Sequence, residues 1–263
     1  MRILLAEDNE VNQALAVALL TKRGHSISIA NNGQEALQAL DKETFDLVLM
    51  DVQMPVMSGF EATAAIRANE NKTGLHIPIV AMTAHAMKGD RESCLKAGMD
   101  AYVSKPIKAS ELIEAIESVA GRLQAHTPAL QAESLAPAPA KTPAPQAAPL
   151  IDGEALLATV DGDFGLLRTM VNLFLTDTPA QMQAIQAALE ANNAGDLYRL
   201  AHALKGAVSN FSSEPVTQTA LRLEMMGREL DLANAREAYQ ELEQMIGRLT
   251  PELSAFVETS LQV

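Results

Sequence analysis

The chain has no tryptophan, a single cysteine and only 3% aromatic residues. A lone thiol, Cys94, excludes an intrachain disulfide and a cluster of metal-bound thiolates. With so few aromatics the cores must be built from Leu, Ile, Val, Ala and Met, which suits helices and α/β units better than sandwiches. A basic excess is missing as well. The formal net charge is −13, which argues against binding to DNA or to an anionic membrane. Neither half reverses the sign: residues 1–122 carry twelve basic and sixteen acidic residues, and residues 151–263 carry seven and sixteen. No nucleic-acid partner is expected. No apolar run reaches the length of a membrane span, and the opening Met1–Glu7 lacks the apolar stretch of a signal peptide. The expectation is a cytoplasmic chain without direct membrane insertion, associated with a membrane only as a piece of a larger anchored protein.

What is present is organised in three parts. Six of the twelve prolines fall between Thr127 and Pro149, in TPALQAESLAPAPAKTPAPQAAP. Repeated proline breaks helices, so residues 123–150 read as an extended Ala/Pro-rich linker, reaching ~3 Å per residue. Before it, residues 1–122 alternate short apolar runs (Ile3–Glu7, Ser26–Ala30, Asp46–Asp51, Ile77–Met82, Ala101–Ser104) with helical patterns (Val11–Lys22, Gln34–Leu40, Gly59–Asn69, Lys88–Ala97, Ser110–Val119). Five such βα units predict a five-stranded parallel sheet covered by helices on both faces. After the linker, residues 151–263 show only helical spacing. Helices are expected over Phe164–Thr176, Ala180–Ala191, Ala194–Ser209, Pro215–Glu229 and Ala233–Arg248, packed as an antiparallel bundle.

Two constellations carry chemistry. In a parallel α/β sheet, ligands bind at the carboxyl ends of the strands. Glu7 and Asp8 close the first strand, Asp51 the third and Thr83 the fourth, and Lys105 follows the fifth. Clustered carboxylates suit a hard divalent cation, most simply Mg²⁺, and an aspartate beside a metal and a lysine can accept a phosphoryl group. Taken singly, each residue also fits a turn or a cap; the conjunction at successive strand ends is what points to a site. The second constellation lies in Ala194–Phe211. Leu197, Leu200, Ala201, Leu204, Val208 and Phe211 form an apolar stripe, while Arg199, His202, Lys205, Gly206 and Ser209 share another face. That spacing places His202 off the core, where a solvated surface histidine and a phosphoryl carrier both fit. Gly206 costs the helix ~1 kcal/mol relative to alanine, as a site of close partner approach would explain. His25, His76 and His126 read as surface residues.

The first region resembles the receiver domain of two-component response regulators, through Ile3–Asn12 (ILLAEDNEVN), Asp46–Gly59 (DLVLMDVQMPVMSG), Ala81–Met87 (AMTAHAM) and Tyr102–Ile107 (YVSKPI). The resemblance implies a flavodoxin-like doubly wound fold with Asp51 as phosphoacceptor. It further implies Mg²⁺ on Asp8, Asp51 and the backbone carbonyl of Gln53, with Glu7 acting through water. Thr83 and Lys105 would contact the phosphoryl group, Tyr102 would be a switching aromatic, Lys105-Pro106 a cis peptide, and Gln53 and His85 would tune hydrolysis. Ala201–Gly206 (AHALKG) resembles the histidine phosphotransfer (HPt) domain, an all-α four-helix bundle in which His202 would carry phosphate beside Lys205. Small glycines often follow in that family where this chain has Ser209 and Ser212. The order receiver–linker–HPt resembles the C-terminal part of tripartite hybrid sensor kinases.

The expected function is a phosphorelay. Asp51 takes a phosphoryl group from an upstream histidine kinase, and His202 passes it to an aspartate of a downstream response regulator receiver. The chain holds no plausible ATP-binding core, so it is not expected to be an enzyme in its own right. One alternative is an aspartyl-phosphate phosphohydrolase of the haloacid-dehalogenase type. That family places its nucleophile after the first strand, where this chain reads Glu7-Asp8-Asn9. Another makes His202 a phosphate sink for a separate receiver.

Overall fold

The computed structural model describes residues 1–83, 88–124, 150–211 and 213–259. His85, His126, Ser212 and the Ala/Pro-rich stretch from 125 to 149 lie outside the described residues.

The first region is a parallel sheet of β1 (Arg2–Ala6), β2 (Ser26–Ala30), β3 (Leu47–Asp51), β4 (Ile79–Thr83) and β5 (Ala101–Ser104) in the order β2-β1-β3-β4-β5. Helices α1 (Glu10–Thr21), α2 (Gly33–Lys42), α3 (Gly59–Thr73), α4 (Lys88–Lys96) and α5 (Ala109–Gln124) alternate with the strands. Every residue of β3 and β4 is buried, which is why these strands read as unbroken apolar runs instead of alternating ones. The edge strands β2 and β5 are partly exposed. The register pairs Ala6 with Met50, Asp51 with Met82 and Thr83 with Ser104, so the inner strands end level with one another at one edge. Gly59 serves that edge: a Cβ there would overlap the Asp51 carbonyl, so only glycine lets α3 start directly against the end of β3. Ser58 caps the same helix in a capping box with Glu61.

The second region holds α6 (Gly153–Thr159), α7 (Phe164–Glu190), α8 (Ala194–Ser209), α9 (Glu214–Glu229) and α10 (Ala235–Thr259). The last four pack as a ring, each against its neighbours, in a four-helix bundle. Two expectations are corrected here. The separate helices expected over Phe164–Thr176 and Ala180–Ala191 are one helix, α7, and the helix expected to end at Arg248 continues to Thr259. Each contains a proline, Pro179 or Pro251, which removes one backbone donor without ending the helix. Packing on both sides outweighs that loss: Phe174, Thr178, Met182 and Ile185 continue one buried stripe past Pro179, and Leu249 and Leu253 flank Pro251. Each proline also follows a threonine whose hydroxyl donates to the carbonyl four residues back, Thr178 to Phe174 and Thr250 to Ile246. Helix α6, seven residues long, was not anticipated because it is too short to show a period.

The two regions share one apolar core. Helix α1 packs against both α7 and α8, and Val11 and Leu15 belong to the same buried cluster as Leu167, Met170 and Leu204. Lying between sheet and bundle, α1 buries Val11, Asn12, Leu15, Ala16, Leu19 and Leu20, more of its circumference than a one-sided helix would. No described helix is long and apolar enough to cross a membrane.

Candidate functional site

The level strand ends bring three acids together. Ligand atoms of Glu7, Asp8 and Asp51 all lie within 4.8 Å of one another. Lys105, the first residue of the cis Lys105–Pro106 bond and the one that follows β5, reaches back into this cluster. Its Nζ lies 2.6 Å from Asp51 Oδ2 and 2.7 Å from Glu7 Oε2. Thr83 is buried beside it, its carbonyl accepting from the Lys105 amide at 2.7 Å. The amide of Gln53 donates to Asp51 Oδ1 at 3.2 Å. Tyr102 sits half-buried on β5 with the Arg91 guanidinium 5.4 Å from its ring centre.

Three carboxylates against one ammonium leave an excess of negative charge in a nearly dry site. Burial pushes the Asp51 carboxyl up to about 8, with Glu7 and Asp8 adding to the shift and Lys105 opposing it. Burial and then Glu7 push Asp8 up to about 6. Burial alone would lower Lys105, but Asp51 and Glu7 outweigh it and hold the ammonium above its ordinary value. An all-oxygen donor set with uncompensated charge is the setting a hard divalent cation fits.

The histidine end differs. His202 on α8 is only 9% exposed, which corrects its placement as an off-core residue open to solvent. Its Nδ1 lies 2.7 Å from Glu224 Oε1 on α9, and the other carboxylate oxygen of Glu224 lies 2.6 Å from Lys205 Nζ. A carboxylate only accepts, so Nδ1 carries the proton and Nε2 keeps its lone pair. Burial lowers the His202 pKa against the opposing pull of Glu224, with Lys205 and Lys105 lowering it further. Burial alone would raise Glu224, but His202 and Lys205 outweigh it and hold it below the usual glutamate range. The α8–α9 approach that makes this triad requires Gly227, where a Cβ would press on the backbone of Ala194 and Tyr198.

The two ends face each other. A cavity of about 390 Å³ is lined on one side by Asp8, Val52 and Gln53 and on the other by Tyr198, Arg199 and His202. Gln53 Nε2 donates to the Tyr198 hydroxyl at 2.6 Å across it. Asn9 Nδ2 donates to the Ala203 carbonyl at 3.4 Å, and Lys22 pairs with Asp161 at 2.9 Å on the rim. Arg199 is exposed, pairs with Asp196 at 3.1 Å, and opposes the rise of Asp8. A Cβ at Gly206 would lie 3.6 Å from Asn12 Nδ2, so this helix position abuts the receiver-like region. Ser209 is half-buried and bonds back to the Gly206 carbonyl at 2.8 Å.

Of the residues expected from sequence, Glu7, Asp8, Asp51, Gln53, Thr83 and Lys105 are gathered at one strand edge, and Arg199, His202 and Lys205 at the facing helix surface. Tyr102 stands apart from them, against Arg91. Sequence reasoning missed Glu224, Tyr198, Asn12 and Asn210. Glu224 had a readable signal: it is an acid on the buried stripe Val216, Ala220, Leu223, Gly227 of α9.

The response regulator receiver domain family matches residues 3–117 and the Hpt domain family residues 169–251. Sensor histidine kinase GacS of Pseudomonas protegens is 34% identical over 252 residues, covering 95% of this chain and 27% of that protein. Hybrid signal transduction histidine kinase I of Dictyostelium discoideum is 51% identical over 122 residues, 44% of this chain and 7% of that protein. The chain thus spans about a quarter of GacS and less of the Dictyostelium kinase. The crystal structure of the receiver domain of sensor histidine kinase PA1611 from Pseudomonas aeruginosa, with magnesium coordinated in its active-site cleft, is 42% identical with a TM-score of 0.42, covering 46% of this chain and 97% of that one. With a receiver match over the sheet that carries Asp51 and an Hpt match over the bundle that carries His202, the chain carries a response regulator receiver domain followed by an Hpt domain.

Proposed function

We propose that this chain passes a phosphoryl group from Asp51 to His202 within itself. An upstream histidine kinase loads Asp51, and His202 then delivers the group to an aspartate on a separate response regulator receiver. The observation that carries the reading is the cavity in which Asp8 and Gln53, the neighbours of Asp51, face His202 across the domain boundary. Docking of this kind favours internal transfer over a phosphate sink for another receiver.

In the transfer step the Nε2 lone pair of His202 attacks phosphorus. The P–N bond forms as the P–O bond to Asp51 breaks, and the bonding electrons return to the Asp51 carboxylate. The imidazole gains positive charge, which the Glu224 carboxylate on Nδ1–H offsets. Lys105 neutralises Asp51 as it leaves and binds phosphoryl oxygens together with Thr83. Lys205 holds Glu224 in place and screens the phosphorylated imidazole. Tyr102 is assigned the switching role, and Arg199, Gly206 and Ser209 the docking face for the downstream receiver. Asp8, Asp51 and the Gln53 carbonyl would hold Mg²⁺, with Glu7 through water; when bound, the ion supplies charge neutralisation for the phosphoryl oxygens. A cytoplasmic location follows from the partners proposed.

The test is phosphotransfer with a phosphorylated histidine kinase domain and a downstream receiver. Unaltered chain is expected to carry base-labile label on Asp51 and then acid-labile label on His202. Label reaching the downstream receiver through His202→Gln at the unaltered rate would show the route to be wrong.

A further inference from the structure

Two amides are buried where the domains meet, and neither has a part in the chemistry above. Asn12 on α1 is 2% exposed, and Asn210, the C-cap of α8, is 1% exposed. Buried amides are unfavourable unless hydrogen-bonded. Asn12 Nδ2 donates to Glu7 Oε1 at 2.7 Å, and Asn210 Nδ2 donates to Asn12 Oδ1 at 2.7 Å. Asn210 Nδ2 also reaches the Gly206 carbonyl at 3.1 Å. A hydrogen-bonded chain therefore runs from the acid cluster, through α1, into the turn that follows His202 on α8.

The direction of that chain is dictated by Glu7. Its carboxylate accepts from both Asn12 and Lys105, so the Asn12 amide must turn its NH₂ toward Glu7 and its carbonyl toward the Hpt domain. A flipped amide would set oxygen against oxygen at Glu7. The receiver domain thus presents a buried acceptor of fixed orientation. A docking surface must place a donor there, and Asn210 does so. Gly206 lies beside this contact, where a Cβ would rest 3.6 Å from Asn12 Nδ2.

We propose that Asn12 and Asn210 are a specificity-determining pair, in which an acceptor oriented by Glu7 admits Hpt surfaces that carry a hydrogen-bond donor at the position of Asn210. The proposal rests on the relay reading and deepens it, since it names what the receiver domain selects, its own Hpt domain. Both residues act by positioning and neither touches the phosphoryl group.

The experiment uses the full chain. Asp51 is loaded with labelled acetyl phosphate in Mg²⁺, and label is followed onto His202 in unaltered chain, Asn210→Asp, Asn210→Ala, Asn12→Ala and the Asn12→Ala/Asn210→Ala double variant. Asn210→Asp sets an acceptor against an acceptor, and its transfer is expected to slow about 10- to 100-fold, with Asn210→Ala slowing less. Loading of Asp51 and helix content stay unchanged in both Asn210 variants. Because the residues act as a pair, the double variant should be no slower than Asn12→Ala alone, whereas independent structural roles would multiply the losses. Small-angle scattering on the same proteins reads docking without phosphate, and Asn210→Asp should enlarge the radius of gyration. Transfer within twofold of the unaltered rate, multiplying losses, or an unchanged radius each overturns the pair. Absence of label on His202 in the unaltered chain overturns the relay instead, while scattering still decides whether the pair governs docking.

Discussion

Asp51 and His202 sit on opposite walls of one interface, and their surroundings handle charge in opposite ways. Asp51 is crowded by Glu7 and Asp8, with one lysine to balance three acids. His202 is set against one carboxylate, Glu224, which is itself shared with Lys205. The aspartate site is built with excess negative charge, ready for a cation; the histidine triad is internally balanced and holds a neutral base in one tautomer. A carboxylate needs help to accept a group that is itself anionic, whereas a neutral imidazole with a free lone pair already suits the task. The difference in surroundings matches the difference in chemistry proposed for the two groups.

The sharpest way to break this comparison is to remove each proposed acceptor. Asp51→Asn should abolish loading by a kinase and with it the label on His202. His202→Gln should leave Asp51 loading intact and stop delivery to a downstream receiver. Gel-based phosphotransfer reads both, and persistent His202 label in Asp51→Asn chain would separate the two sites.

Glu224→Ala comes next. It frees the His202 tautomer and leaves Lys205 buried without its partner, so transfer to His202 should fall about 10- to 100-fold while Asp51 loads normally. Stopped-time phosphotransfer measures it, and an unaltered rate would deny Glu224 its part in orienting the ring. Tyr198→Phe removes only the hydroxyl that accepts from Gln53, and a smaller loss, about 2- to 10-fold, is expected in the same assay.

Cation and pH sharpen the comparison from the other side. Without a divalent ion, folded Asp51 and Asp8 titrate near 8 and 6 against an ordinary 3.8. The folded state then binds protons that the unfolded chain has released, so stability is lost as pH rises from about 4 toward 8. Thermal melts should show Mg²⁺ stabilising the chain more at pH 8 than at pH 5. Equal stabilisation at both would mean the acids are not what the ion relieves. The smallest effect is expected at the rim: Lys22 and Asp161 are both exposed, and Lys22→Ala should leave transfer within about twofold.

Much of the receiver domain was legible because its chemistry is tied to strand ends. Burial of β3 and β4 on both faces writes itself as apolar runs, and Asp51 and Thr83 close them. The helical bundle is legible as periodicity, except around Pro179 and Pro251, where the helices run on past the expected ends. Pro179 and Pro251 show that a local preference of a few kcal/mol yields to a packed stripe on either side. Burial of His202 was not legible, since its partners come from α9 and from the other domain. Asn12 and Asn210 read as ordinary helix-end and helix-face polar residues; nothing local marks them as partners.

By itself the sequence determined the βα alternation, the all-helical second half, and which residues close the strands, because hydrophobic period and strand-end position are local properties of a chain. Only the tertiary structure decided that Glu224 meets His202, that α1 is shared between two domains, and that Asn210 meets the Asn12 amide. Those depend on which surfaces meet, and hydrogen-bond partners 22 to 198 residues apart have no spacing rule to announce them.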